Sequence, residues 1–394
     1  MQAPGTPAST LRMTPAMVTL FAFCCGAIVA NLYYAQPIIG LIAPDIGLSP
    51  AAASLTVSLT QIGYAIGLFF IVPLADLVEN RRLLIATTLL SVVSLGIATL
   101  VRDPGVFLLV SLLIGFGSVS VQILLPLAAH FAPDETRGRV VGNVMGGLML
   151  GILLSRPFSS FVADHFGWHA VFGTATVFMI AITLLFVLLM PHRQPAHTAT
   201  YGALLRSLGT LVARMPALRR RSFYQGCMFA SFSLFWTAAP LELTHHYGLS
   251  QSQIAVFALI GALGAIAAPI AGRMADAGFT RGASLAAMTL AAAGFWPVVL
   301  VPSLGVVGLV CTGVLLDFCV QMNMVLGQRE VYALDAASRG RLNALYVTSV
   351  FIGGAIGSLI ASPLYASGGW PRVVLVASAF PLLALLRFLL ARMR

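Results

Sequence analysis

Hydrophobic and polar residues follow one another along this chain in long blocks rather than in short alternation. Apolar runs of roughly 18 to 25 residues recur over the whole length, and this is the length that an α-helix needs to cross about 30 Å of hydrocarbon. The pattern predicts an all-α membrane protein with twelve transmembrane helices. The predicted helix centres lie near residues 28, 64, 92, 118, 150, 179, 233, 264, 291, 317, 352 and 382.

Composition supports this class and adds an orientation. Of 394 residues, 59% are hydrophobic and 9% are charged, a balance outside the range of soluble domains. All 22 basic residues are arginine. With both termini in the cytoplasm, 19 of the 22 lie in cytoplasmic segments, and the exceptions are Arg102, Arg156 and Arg372. The net charge of +10 is therefore a signal of topology, and we expect no binding of nucleic acid.

A polar interruption at residues 191–221 divides the predicted helices into six and six. We therefore predict an N-terminal half at 1–190, a basic cytoplasmic linker at 191–221 and a C-terminal half at 222–394. The linker sequence YGALLRSLGTLVAR has apolar residues at helical spacing. It is either an amphipathic helix on the membrane surface or a solvated linker whose arginines serve topology.

The two halves repeat one another. Residues 137–168 align without a gap to residues 339–370 at an offset of 202, and both segments open with RGR and close with GW. LYYAQP in the first predicted helix aligns with FWTAAP in the seventh at an offset of 203. Nearly equal offsets at separate places indicate a tandem duplication of a six-helix unit.

Two copies of a short motif carry a resemblance to a known family. VPLADLVENRR contains Asp76, Arg81 and Arg82, and GRMADAGFTR contains Asp276 and Arg281. Both are similar to the loop motif between helices 2 and 3 of the major facilitator superfamily, whose plan is two six-helix repeats. The resemblance implies alternating-access transport, and it implies that these five residues close a cytoplasmic gate.

Three further segments resemble a subfamily. NLYYAQP, GILLSRP and REVYALD look like bacterial efflux-type members described as sugar or drug exporters. The fourth predicted helix lacks the arginine that is typical of drug/proton antiporters, and Arg156-Pro157 stands where those proteins have Gly-Pro.

Two ionisable residues are predicted deep in the membrane, where a charge is costly. Asp317 lies in LVCTGVLLDFCVQMNMVLGQ, and an apolar setting favours its neutral form, so it is the candidate for proton coupling. The alternative is a structural acid that is paired with an arginine or caps a helix. Arg156 either extends to water at the helix end, or binds an anionic solute, or acts as the counterion of Asp317.

Neutral polar residues at membrane depth either bond to neighbouring helices or face the solute. The candidates for the substrate cavity, with Arg156, are Asn31, Tyr34, Gln61, Tyr64, Gln122, Gln321 and Asn323.

The segment NLYYAQP divides into two parts. Tyr33 and Pro37 have counterparts in Trp236 and Pro240, so these residues are interpreted as architecture and both prolines as helix kinks. At about 100° per residue, Asn31 and Tyr34 share one face of a helix. We predict that these two face the solute, and that Tyr33 and Gln36 pack against neighbouring helices.

No phosphate loop, nucleophile set or clustered metal ligands occur, so we expect neither an enzyme nor a cofactor or metal. The expected partners are a small-molecule solute, protons and the lipid bilayer, with a monomer as the expected state. The predicted function is proton-coupled export of a small organic or amphipathic compound across a bacterial inner membrane. The alternatives are an importer or uniporter of a sugar or organic anion and, more distantly, a non-transporting sensor.

Overall fold

The computed structural model describes residues 14–133, 135–195, 200–335 and 338–391, and these residues form an all-helical protein without strands. The first eight α-helices are α1 Pro15–Ala30, α2 Ile39–Asp45, α3 Leu55–Phe70, α4 Asn80–Leu100, α5 Pro104–Gly117, α6 Ser120–Phe131, α7 Arg137–Phe166 and α8 Trp168–Leu189. The other eight are α9 Tyr201–Arg214, α10 Pro216–His245, α11 Gln251–Gly261, α12 Ala267–Asp276, α13 Thr280–Ala293, α14 Trp296–Leu300, α15 Gly305–Ala333 and α16 Arg339–Leu390.

Many of these helices are suited to a bilayer. In the described part of the chain, 8 helical segments are long and apolar enough to cross a membrane, and α1 and α11 are shorter apolar helices. The 52-residue α16 contains non-helical backbone at Gly368 and Gly369, so two helices meet there. The predicted centres at 352 and 382 lie on the two sides of this turn.

The first apolar run is interrupted in its middle. α1 ends at Ala30, turns cover residues 31–35, and a 3-10 turn at Gln36–Ile38 leads into α2. The N–H groups of residues 31–33 and 36 donate to carbonyls three residues back instead of four. Pro37 has no N–H, and its ring obstructs the carbonyl four residues earlier. The interruption therefore lies at the segment where Pro37 predicts a disturbance.

The aligned proline in the other half behaves differently. α10 runs from Pro216 to His245 and includes Pro240 without interruption. All residues from 228 to 243 of this helix are buried, so packing from every side holds the helix together across the missing hydrogen bond. A bend at Pro240 stays a prediction.

Glycines allow the same close helix pair in each half. A Cβ on Gly151 of α7 would lie 2.1 Å from the carbonyl oxygen of Gly26 in α1, and a Cβ on Gly353 of α16 would lie 2.1 Å from that of Gly226 in α10. Gly151 and Gly353 are aligned by the 202-residue offset. The repeat therefore has the same close helix contact in each half.

The chain also turns in the same way at two aligned glycines, Gly167 between α7 and α8 and Gly369 within α16. Gly167 and Gly369 have φ values of 82° and 60°, in the left-handed region that favours glycine. Each directly precedes a buried tryptophan, Trp168 or Trp370, with 5% exposure in both cases. The GW pair in the sequence therefore marks the same sharp turn in each half.

The linker contains a packed helix. α9 buries Leu204 and Leu208, and Leu208 belongs to a cluster with Leu218, Leu342 and Tyr346. The apolar face of α9 thus packs on helix ends of the protein, because these offer it apolar partners. Of the two alternatives for the linker, a helix is present, but its buried leucines face protein.

The hydrogen bonds that join the two halves lie in the middle of the bundle or at the end remote from α9. Within the described residues, Ser58 pairs with Ser358 at 3.1 Å, and Ser252 of α11 donates to Asp164 at the end of α7. The end that carries α9 has no such bond among these residues. We call the bonded end the closed end and the other the linker end.

Candidate functional site

Arg156 lies on α7 in the interior, where α1, α7 and α10 meet. Its side chain is only 5% exposed, and its Nε donates a hydrogen bond of 2.9 Å to Oε1 of Gln36. The alternative in which Arg156 extends to water is therefore wrong. The α7 segment holds the residue at depth because its glycines draw the helix close to α1.

Three aromatic rings surround the guanidinium. Its Cζ lies 4.7 Å from the ring centroid of Trp236, 5.0 Å from that of Tyr33 and 5.1 Å from that of Phe232. Each ring face attracts a cation by about 0.5–2 kcal/mol. Removing an ion from water costs several kcal/mol, and the three rings and the hydrogen bond to Gln36 offset that cost.

Asp317 lies on α15 and contacts the indole of Trp236 at its N–H. Its Oδ1 accepts a hydrogen bond of 2.7 Å from Nε1 of Trp236, and the residue is half-buried. Among the described residues no ion pair joins Arg156 and Asp317, since no nitrogen of one lies within 4.0 Å of an oxygen of the other. Of the alternatives for Arg156, a direct ion pair with Asp317 is thus not formed in this conformation, and the indole of Trp236 contacts both charged groups.

Two glycines make room for this arrangement. A Cβ on Gly261 would lie 2.4 Å from Cη2 of Trp236, and a Cβ on Gly264 would lie 2.4 Å from Cβ of Asp317. The α11 segment and the 3-10 turn after it can therefore approach α10 and α15 closely. Any larger residue at either position would displace the indole or the carboxylate.

The interrupted first helix supplies the other side of the site. Gln36 is 1% exposed, and its Nε2 donates to Oγ1 of Thr237 at 3.3 Å while its Oε1 accepts from Arg156. Tyr33 and Gln36, which were expected to pack against neighbouring helices, do so at the Arg156 guanidinium. Both therefore belong to the polar site rather than to plain packing.

Asn31 and Tyr34 occupy a different place. The Tyr34 ring lies 5.8 Å from that of Phe158, its carbonyl accepts from Ser159, and the residue is 4% exposed. Asn31 is also 4% exposed, and its Nδ2 has no hydrogen-bond partner. Contact of these two residues with a solute stays a prediction.

A second polar layer joins the halves next to the site. Nε2 of Gln61 on α3 donates to Ser233 on α10 at 2.9 Å. Gln122 on α6 donates to the hydroxyl of Tyr64 at 3.1 Å, and the Tyr64 ring lies 4.5 Å from that of Phe351 on α16. Gln61 and Tyr64 thus contact residues of the other half in this conformation.

The remaining cavity candidates lie on α15. Asn323 is 1% exposed and donates to Gln225 of α10 at 2.7 Å. Gln321, two residues earlier, is half-buried. The structure therefore places Asn323 in a contact between helices of one half, and it leaves Gln321 partly accessible.

The residues of the predicted gate lie at the linker end, and their polar and ring contacts in the described part of the chain stay within one half or reach the linker. Asp276 pairs with Arg329, and Arg281 lies over the ring of Phe388 at 5.8 Å. Among the described residues, Asp76 is exposed and forms no ion pair. On the same side, Arg82 pairs with Glu79, and Arg81 contacts His192 and donates to the carbonyl of Val187. In this conformation the gate residues do not connect the halves.

Sequence reasoning missed the residues that complete the site. Trp236 was interpreted as architecture because Tyr33 occupies the same position in the repeat, and Phe232 and Thr237 carried no signal. Phe232 precedes Trp236 by four residues and Thr237 follows it by one. The three residues therefore lie within about one turn and a half of α10. A search for aromatic residues one turn apart beside the repeat's proline could have found Phe232 and Trp236.

The fold and the duplicated motif define a class. A family model of the Major Facilitator Superfamily matches residues 18–338 and, again, 221–394, so the chain belongs to the major facilitator superfamily and is a membrane transporter. It is 37% identical over 377 residues to "Uncharacterized transporter YgaY" of Escherichia coli O157:H7, a match that covers 95% of each chain.

Two further comparisons agree with this class. "Probable transporter SCO4007" of Streptomyces coelicolor is 31% identical over 370 residues, which cover 92% of this chain and 84% of that relative. The solved structure of the nucleoside transporter NupG matches with a TM-score of 0.73 over 94% of this chain and 99% of that one. At 12% identity the latter likeness concerns the fold alone.

Proposed function

We propose that this protein is a proton-coupled secondary transporter that moves a small organic solute by alternating access, with Asp317 as the proton-binding group. The observation that carries the proposal is the array of Arg156, Trp236 and Asp317 between the two halves. Charges buried at an interface that must open and close are suited to sensing a proton and a solute.

The same proposal includes the topology. Twelve transmembrane helices in two halves, 1–190 and 222–394, joined by a linker at 191–221, place both termini and α9 in the cytoplasm of a bacterial inner membrane. The linker end is then cytoplasmic and open, and the closed end is periplasmic. The rocking of one half against the other would expose the Arg156 site to each side in turn.

Two directions of transport are candidates. The likeness of NLYYAQP and GILLSRP to efflux-type members favours export of an organic or amphipathic compound in exchange for protons. The buried guanidinium of Arg156 favours the second candidate, uptake of an organic anion.

Counterflow in proteoliposomes tests the proposal. Vesicles with purified protein are loaded with single compounds of a library of cations, neutral compounds and anions, and exchange is measured with and without an imposed pH gradient. We expect at least one compound to exchange and the gradient to drive its accumulation. Folded protein that exchanges none of the compounds would contradict the transport proposal, and accumulation that ignores the gradient would contradict proton coupling.

A further inference from the structure

Given the proposed transport function, on which this inference rests, we infer that the solute is an organic anion that binds Arg156 together with a proton on Asp317. Arg156 is 5% exposed and has no carboxylate within ion-pair distance among the described residues. A buried charge is retained where a partner compensates it. Asp317 balances this charge without an ion-pair contact, so the contact position on the guanidinium is left for the solute.

The Arg156 guanidinium has one buried hydrogen-bond donor without a partner. Nε is engaged by Gln36, which Thr237 in turn holds, whereas the buried Nη2 has no hydrogen-bond partner. An anionic oxygen is the strongest acceptor for such a donor. The fixed Gln36 amide keeps the guanidinium in one orientation, so the Nη2 atom is presented without a further ordering cost.

The surroundings define the rest of the solute. Tyr33, Phe232 and Trp236 present aromatic rings around the guanidinium. Rings favour an apolar or aromatic body, and they offer few groups that could bond to the many hydroxyls of a sugar. The chemical class is therefore a monoanion, such as a carboxylate, on an apolar body.

Charge balance links the anion to the proton. Trp236 of α10 donates to the Asp317 carboxylate, and Gly264 approaches it without adding a side chain. Arg156 of α7 and Tyr33 of the interrupted first helix interact with it electrostatically. With Asp317 ionised, the net charge of Arg156 and Asp317 together is zero, and a bound monoanion makes it minus one. With Asp317 protonated, the site carries plus one, and the anion neutralises it.

The proton and the anion therefore favour each other's binding, because unscreened charge is costly in an apolar site, and the linkage is reciprocal. Ligands that bind together also cross together. The site is thus that of an electroneutral symporter of a proton and a monoanion, and an inward proton gradient would drive uptake.

Binding to the purified full-length protein in detergent tests the inference. The probes are benzoate, phenylacetate and hexanoate, with benzamide as the neutral and benzylamine as the cationic analogue of benzoate, at pH 6 and pH 8. Ordinary carboxylates are ionised at both values. We expect at least one carboxylate to bind about fivefold or more tightly at pH 6 than at pH 8, within the usual range of coupling between sites.

Variants assign this behaviour to residues. Asp317→Asn mimics the protonated acid, so its carboxylate affinity should equal the pH 6 value at both pH values. Arg156→Gln should lose binding at both, and Arg156→Lys should recover part of it because the charge returns. Arg102→Gln, a change at an exposed arginine, is the control and should match the wild type.

Results that differ from these expectations would contradict the anion class or the link to Asp317. Binding of benzamide or benzylamine without binding of any carboxylate overturns the anion class, as does carboxylate affinity that is unchanged in Arg156→Gln. Equal affinity at pH 6 and pH 8 overturns the link to Asp317. If the counterflow library exchanges neutral compounds or cations but no anion, the inference fails while the transport function stands, whereas a library without any exchange defeats the transport function itself.

Discussion

Position 156 of α7 and position 358 of α16 occupy the same place in the two repeats, and they carry different chemistry. Arg156 is a buried cation between aromatic rings, whereas Ser358 donates to Ser58 and to a carbonyl of its own helix. The close helix contact five residues earlier is the same in both repeats, as Gly151 and Gly353 show.

The two repeats therefore share the packing of their helices at these glycines, but they differ in the charged residues that they carry. Each half contributes one ionisable group to the site, Arg156 from the first and Asp317 from the second, and Trp236 contacts both. A site of this kind exists only where the halves meet. Rigid, repeated helix pairs position it, and residues without a counterpart supply its chemistry.

The largest expected effect tests the shared scaffold. Gly151→Val and Gly353→Val should each lower stability by about 3 kcal/mol, because the new side chain would meet a carbonyl oxygen of the neighbouring helix. Thermal unfolding of the purified variants in detergent measures this loss. Gly146→Val is the matched control, since a Cβ there has no atom within 4 Å. A loss in one half only would contradict equivalent packing.

The next effect tests the difference in charge. Arg156→Ser copies the residue of the other repeat and should reduce solute transport at least about tenfold, since a charged hydrogen-bonding group contributes about 1.5–3 kcal/mol. Ser358→Ala, which removes a neutral hydroxyl, should keep transport within about twofold. Initial rates in proteoliposomes at equal protein content measure both. Similar losses in the two variants would mean that position 156 is important for packing alone.

A smaller effect tests the link between the halves. Trp236→Phe keeps a ring beside Arg156 but removes the N–H that bonds to Asp317. The ionised carboxylate loses a donor, so the pH of half-maximal transport should rise by about one unit. The control is Trp370→Phe, because the buried Nε1 of Trp370 has no hydrogen-bond partner. An unchanged pH profile in Trp236→Phe would remove Trp236 from the coupling.

The smallest effect compares the aligned prolines. Pro240→Ala should stabilise the protein by about 1 kcal/mol, because α10 is continuous and regains a backbone donor. Pro37→Ala should destabilise by about 0.4–1 kcal/mol, since the 3-10 turn suits proline and alanine has more freedom when unfolded. Thermal unfolding of the two purified variants in detergent shows whether each substitution raises or lowers the stability. A change in stability in the same direction in both variants would show that the two prolines have equivalent roles despite their different helices.

Much of the architecture could be predicted because it depends on local composition and on repetition. The length of the apolar runs predicts membrane helices, and the 202-residue offset predicts the aligned glycines and the GW corner. Gly167 and Gly369 have positive φ at that corner, which is the conformation that glycine accepts without cost. Arg156 and Asp317 could be selected because a charge in a long apolar run needs a function or a partner.

The partners of these charges could not be predicted. Helical periodicity places Gln36 away from Asn31, but the helix is interrupted at residues 31–38, so a rule of 100° per residue does not apply there. The match of Trp236 with Tyr33 in the repeat suggested architecture, although the indole bonds to a carboxylate 81 positions away. Contacts over such separations depend on helix packing and leave no periodic signal.

The sequence by itself determined the class of protein, the aligned repeat at a 202-residue offset and the two ionisable residues within apolar runs. Hydrophobic length, repetition and the penalty for buried charge are properties of the chain itself. Only the tertiary structure decided that Trp236 contacts both Arg156 and Asp317, and that Gln36 orients the guanidinium. The physical reason is that an ion pair, a cation–π contact and a hydrogen bond are all compatible with the same residues, and distances set by packing select among them.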